Sequence, residues 1–438
     1  MRKNEFNINN FVKNLLEIKN SKGELVVCPG EENHIYKDFD DVVPFLLYFN
    51  QSKEIKKQIL LSRRYINNGF IEYGSYLFSW RMDEYIGGLI FYYQNTKDKD
   101  VLDIIEEQEH FLNKLFELHY IPGYFYIPKG KFTDLSFSRG YGLIEVCLEN
   151  DMFKKETKLN ALRILNNFLN NNKFFRKESL FLNKYKYQNK EFKAYITPLF
   201  IDKINFIKGT STYFGRSKLK NTVLRSLQNS SISRVKLMKD NSNLIYSVIE
   251  AYKYTKKNIY KNVLKKWIYE GVLTKMYNQD GFVHTYWENK PYGISLAQNF
   301  TFIDILMDYY HNVYQDNNLL EIVEKITKFW LNKKMPNGLI PENPNENIDF
   351  LDCQTDFSVC LKKLSYLTGN YYYQKKGRQL FHSIILNHYK NGYLVNKVDD
   401  KGNTIDKTIN LKYNILFLKA YIAYNSNLNI FNDLFKDR

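Results

Sequence analysis

The chain has 438 residues, 44% hydrophobic and 16% aromatic, which is ample to bury a core and too apolar for a disordered chain. Its net charge of +16 and pI near 9.2 would suit a polyanion, but the lysines are scattered among Asn, Ile and Tyr and form no nucleic-acid module. Four dispersed cysteines, Cys28, Cys147, Cys353 and Cys360, exclude a disulfide framework, and no apolar run reaches the length of a membrane span.

The first residues lead into an amphipathic stretch rather than an apolar signal core, which predicts a soluble, cytoplasmic protein with no membrane or nucleic-acid partner. Phe6, Phe11, Leu15 and Leu16 fall at helical spacing and predict a packing helix over 5–19. Helical periodicity resumes at Asp40-Asp41 and runs through Phe49.

From there glycine turns recur, at Gly69, Gly123, Gly281, Gly338 and Gly392, separated by 54, 158, 57 and 54 residues. A period near 55 marks a repeat architecture. The long interval holds a degenerate turn near Phe175 and a polar stretch with some strand character, read as an insertion over 174–239.

Each interval carries two helical runs. The first closes on a polar stop, as in Tyr93-Gln94-Asn95-Thr96, Tyr252-Lys253-Tyr254-Thr255 and Tyr366-Leu367-Thr368-Gly369-Asn370. The first runs, such as Ile86–Tyr93 and Leu244–Ile249, are apolar nearly all round and read as buried. Six such pairs in series predict an all-α fold closed into a double ring, with the first helices inside and one domain spanning 1–438.

On this turn-to-helix pattern over residues 40 to 425 the chain resembles the six-hairpin (α/α)6 toroid superfamily. The resemblance implies an active site in the cavity at the N-terminal ends of the inner helices, and the chemistry of glycoside hydrolases, polysaccharide lyases or sugar epimerases. It matches no single family's catalytic signature, and a fold does not fix a function.

Counting back twelve residues from the helix-end threonines gives Glu84, Asn243 and Asp356 in one register. An acid at a helix start is ordinarily an N-cap contributing about 1 kcal/mol. Several helices here carry more polar groups than one cap requires, with Arg81 beside Asp83 and Glu84, and Asp352 beside Asp356. The expected catalytic carboxyls are therefore Asp83, Glu84, Asp352 and Asp356, since glycosidic cleavage uses an acid and an opposing carboxylate.

Expected substrate contacts come from Glu145, Asn243, Asn299 and Asp304, with Arg81 and Arg139 as anchors for a carboxylate on the sugar. Trp80, Tyr141, Tyr286 and Trp287 offer aromatic faces, and His284 a titratable ring. A lyase or epimerase acting on uronic acids, or a non-catalytic carbohydrate-binding toroid, are the alternatives to hydrolysis. No nucleotide fingerprint, Cys/His grouping or nucleophile elbow is present, so neither a metal nor a cofactor is expected. The expected partner is an oligosaccharide or polysaccharide, neutral or acidic.

Overall fold

The computed structural model describes residues 6–171, 184–186, 235–236 and 238–426, except 33, 68–69, 74–75, 79–80, 119–120, 122–123, 127–130, 133–134 and 288–289. Helix α1 (Ile8–Leu16) opens the chain, its first turn capped by the Asn7 side chain on the Asn10 amide. Three helical hairpins follow: α2 (Phe39–Tyr48) with α3 (Ser52–Ser62), α4 (Met82–Thr96) with α5 (Lys99–Phe116), and α6 (Gly142–Glu149) with α7 (Lys155–Asn171). Three more are α8 (Met238–Thr255) with α9 (Asn258–Lys265), α10 (Leu296–Asn312) with α11 (Asn317–Asn332), and α12 (Leu351–Thr368) with α13 (Tyr371–His388). Helix α14 (Leu411–Asn425) ends the described chain.

The first helix of each hairpin packs on the first helix of the next, from α2 through α4, α6, α8 and α10 to α12. Helix α14 then packs between α12 and α2 and closes the ring. The all-α (α/α)6 double ring expected from the repeat is present, and α14 joins its inner circle beyond what the six hairpins supply. The expected N-terminal packing helix is α1, which lies against α14 through Phe11 and Phe417, nearly perpendicular rings 5.7 Å apart. The two ends of the chain thus form the last pair. Close approach of α2 to α4 requires Gly88, where a Cβ would fall 2.5 Å from Phe39.

The polar helix stops work through their threonines. Thr96, Thr255 and Thr368 each return a hydroxyl to the carbonyl four residues back, at Tyr92, Ala251 and Leu364. The chain then leaves in the left-handed region at Lys97, Lys256 and Gly369 and enters the outer helix.

The described glycine turns stand at the other end, after the outer helices. Gly281, Gly338 and Gly392 have φ of +96°, +89° and +92°, the conformation only glycine adopts without strain. Gly69, Gly123 and the degenerate turn near Phe175 lie outside the described residues. Of the expected insertion over 174–239, two short strands are described: Lys184–Lys186 pairs antiparallel with Leu135–Phe137, and Val235–Lys236 with Thr285–Trp287. The stretch from Met238 belongs to α8.

A buried amide ties three of these turns to the helix that follows. Asn299 accepts from the Val283 amide at 2.7 Å and donates to the Val283 carbonyl at 3.0 Å. Gln354 does the same to Ile340, and Asn414 to Leu394. Each clamped residue lies two after its turn glycine, and each amide is the fourth residue of its helix. The clamp fixes how each turn sits over the end of the ring.

Candidate active site

The N-terminal ends of the inner helices surround a cavity of about 340 Å³. Asp40 and Asp41 reach it from α2, Asp83 and Glu84 from α4, Glu145 from α6, and Asp352 and Asp356 from α12. Asn243 and Tyr246 line it from α8, and Lys412 and Tyr413 from α14. Four of these helices, α2, α4, α6 and α12, lack the side-chain cap that an acid at a helix start would ordinarily provide. Arg81 precedes α4 and Phe350 precedes α12, and neither side chain caps its helix. Asp83, Glu84 and Asp352 lie inside the first turn, where the helix dipole favours negative charge while leaving the side chain to face the cavity.

Arg81 holds a left-handed backbone, φ +69°, unusual for a residue with a side chain. That turn aims its guanidinium along the wall, where it ion-pairs with Asp38 and, at 3.1 Å, with Glu84. Lys412 crosses from α14 to the same acids, 2.9 Å from Asp38, 2.6 Å from Asp41 and 3.4 Å from Glu84. Both cations are therefore committed to protein carboxylates, and Arg81 is not free to anchor a substrate carboxylate as the sequence suggested.

The charge states diverge within a few ångströms. Burial raises Asp38, but Lys412 and Arg81 outweigh it and hold that carboxyl well below its usual range. At Asp40 the balance reverses: burial, then Asp41 and Glu84, push it well up against the pull of Lys412. Glu84 is pushed up to about 7, chiefly by burial, with Arg81 and Lys412 opposing. Lys412 stays charged because Asp38, Asp41 and Glu84 outweigh its desolvation. Lys37, also on the wall, is brought down to about 7 by burial.

Asp83 is 6% exposed and is raised by burial, against the pull of its helix's first-turn amides and of Asn243, whose amide donates to Oδ2 at 2.7 Å. Its Oδ1 has no partner in hydrogen-bonding geometry among the described residues. The fit is close, since a Cβ at Gly142 would fall 2.0 Å from Asp83 Oδ2 and 2.8 Å from Asn243 Nδ2. Across the cavity Asp356 lies 3.9 Å from the Lys419 ammonium.

Among the described residues, Asp40, Asp41 and Glu84 form the group whose carboxylate oxygens, within 4.8 Å of one another, are spaced to hold a cation. The Lys412 ammonium already lies against two of the three.

Of the residues expected from sequence, Asp83, Glu84, Asp352, Asp356, Arg81, Glu145 and Asn243 line this cavity. Four others do not. Asn299 is wholly buried in its backbone clamp. Asp304, 2% exposed, lies beneath the cavity, accepting from the Tyr246 hydroxyl at 2.6 Å and paired with Lys363 at 2.8 Å. Tyr141 is buried against Phe168, with ring centres 4.4 Å apart. His284 packs edge-on against Phe282 in the Gly281 turn. Trp80 lies outside the described residues, as do the side chains of Arg139, Tyr286 and Trp287.

Sequence reasoning missed the cations Lys412 and Lys37, along with Tyr413, and did not count Asp40 and Asp41 among the site residues. The Asn391-Gly392 turn was the available signal for α14, because the matching turns at Gly281 and Gly338 lead into inner helices. No histidine lines the cavity among the described residues. Two of the buried histidines are fixed elsewhere, His34 on Gln58 at 2.9 Å and His388 on Asp349 at 2.7 Å.

No protein-family model matches the chain, and no curated protein matches it. Solved structures do. A crystal structure of D-mannose isomerase is 11% identical with a TM-score of 0.57, over 82% of this chain and 89% of that one. Cellobiose 2-epimerase from Bacillus thermoamylovorans B4167 is 11% identical with a TM-score of 0.55, over 85% of this chain and 99% of its own. Unsaturated glucuronyl hydrolase from Streptococcus agalactiae is 10% identical with a TM-score of 0.50, over 92% of this chain and 98% of its own. At such identities the likeness is one of fold, and the fold is the (α/α)6 toroid.

Proposed function

We propose that this chain is a glycoside hydrolase acting on an oligosaccharide or polysaccharide bound in the central cavity. The observation that carries the reading is the convergence of carboxyls from α2, α4, α6 and α12 on one cavity of about 340 Å³. Glycosidic cleavage needs a carboxylic acid that is still protonated near neutral pH, to protonate the leaving oxygen, and a carboxylate to activate water or attack the sugar. The α2–α4 wall supplies the acid, since burial pushes Asp40 and Glu84 toward their protonated forms. The α12 wall supplies the carboxylate, from Asp356 or Asp352. Tyr246 and Tyr413, both on the cavity wall, offer ring faces to a sugar, and Tyr413 its hydroxyl.

The fold likeness to a mannose isomerase and a cellobiose epimerase supports a second reading, in which an acid and a base take a proton from a sugar carbon and return it to the neighbouring carbon (isomerisation) or to the opposite face of the same carbon (epimerisation). The two readings differ in product. Hydrolysis creates a new reducing end for each bond cut, whereas isomerisation or epimerisation leaves the chain length unchanged.

The test is to incubate the protein with a panel of defined oligosaccharides and resolve the products by length and configuration. Hydrolysis predicts shorter products, lost in Asp40→Asn and in Asp356→Asn when both variants fold. Products of unchanged length with an altered reducing-end sugar would replace hydrolysis by the second reading.

A further inference from the structure

The cavity runs against the charge of the molecule that holds it. A chain of net charge +16 surrounds this space with nine carboxyl groups and three cations among the described lining residues. Arg81 and Lys412 are already bound to Asp38, Asp41 and Glu84. Asp40 and Asp83 are left with no ion pair among the described contacts. Asp83 Oδ1, on a residue 6% exposed, is an acceptor with no donor among the described residues. A buried acceptor of this kind lacks something that a ligand can bring.

Burial raises Asp40 and Asp83 because no cation fully compensates their ionised forms, and a neutral sugar brings hydroxyl donors without supplying that charge. A uronate adds a further carboxylate to a wall whose two strongest cations are already committed. A primary ammonium supplies three donors and a positive charge together. The protein itself uses that chemistry in the same cavity, where the Lys412 ammonium lies among three carboxylates.

We propose that the substrate is an amino sugar bearing a free, protonated amine, seated with its ammonium at Asp83 Oδ1. This rests on the carbohydrate reading above and narrows it to cationic sugars. The matching requirement on the protein is Gly142, which leaves room for Asp83 to turn its Oδ2 to Asn243 while Oδ1 stays available.

The test is isothermal titration calorimetry of the full chain against matched sets of hexoses, mono- to tetrasaccharide, carrying a free amine, a neutral group or a carboxylate. Charge-assisted hydrogen bonding predicts roughly tenfold or tighter binding of the free-amine members over their neutral counterparts. The preference should vanish in Asp83→Asn, with thermal unfolding confirming that the variant folds. N-acetylation of the amine should abolish it too, a comparison that needs no variant. Neutral or uronate members binding as well as the amines would overturn the amino-sugar assignment and leave the carbohydrate reading standing. Binding by no member of any set would overturn both.

Discussion

Replacing Gln354 by Met removes the amide that holds the Gly338 turn and leaves the side-chain volume nearly unchanged. Two backbone groups lose their partners, the N–H and the C=O of Ile340, a residue 1% exposed. An unpaired buried backbone group costs about 1–3 kcal/mol, so the pair costs about 2–6 kcal/mol. With an unfolding entropy of roughly 2.1 cal/mol/K per residue, a chain of 438 residues loses about 2–7 °C in Tm. Scanning calorimetry measures this directly, and Asn299→Leu and Asn414→Leu should shift by similar amounts because they break the same pair of bonds at Val283 and Leu394. Sugar binding should survive in each variant that remains folded. A Tm within about 1 °C of the parent, or lost binding at an unchanged Tm, would show that these amides serve the site and not the turns.

Other consequences concern the cavity wall. Glu84→Gln should change the pH dependence of stability. A folded value of about 7 against an ordinary 4.5 means that the contribution of the protonated group is full below pH 4.5 and is lost as pH rises through 7. The variant escapes that loss, so its stability relative to the parent should rise by up to about 3 kcal/mol between pH 4.5 and 8 in urea titrations. Parallel profiles would contradict this. Lys412→Met strips Asp38 and Asp41 of a buried partner and should cost about 3 kcal/mol at neutral pH. Asp38 has a depressed value, so its share of the loss is present above pH 3.8 and shrinks as acid protonates it. Gly142→Ala places a methyl against Asp83 and Asn243 and should cost about 1–3 kcal/mol in stability while lowering sugar affinity. An alanine variant with parental Tm and affinity would show that the helices there have slack.

The repeat was legible because its two punctuation marks have physical causes. Glycine at φ near +90° and threonine bonding back to its own helix both leave a residue-type signature at fixed spacing. The threonine register accordingly placed Glu84, Asn243 and Asp356, all of which line the cavity. It failed where a helix lacks the mark. Helix α10 ends at Asn312 without a threonine, and its early polar residues looked like site residues. Aligned on the amide clamp, the α10 counterpart of Asp356 is Thr301, while Asn299 matches Gln354. The same alignment matches Lys412 of α14 to Asp352 of α12, two residues before their clamps.

Charge pairing was the other hidden layer. Nothing in the local sequence says that Lys412 reaches acids more than 320 positions away at Asp38, Asp41 and Glu84. Arg81 therefore read as a free anchor when its guanidinium already has partners. Asp304 misled for a related reason, because its partner Lys363 lies on α12, 59 residues on.

The most direct test of the central claim is product analysis by chromatography and mass spectrometry after incubating the protein with defined oligosaccharides, free-amine members included. A hydrolytic carboxyl pair predicts shortened products from the parent chain, and none from folded Asp40→Asn or Asp356→Asn. Oligosaccharides returned intact by the parent, or cleaved equally by both variants, would contradict it.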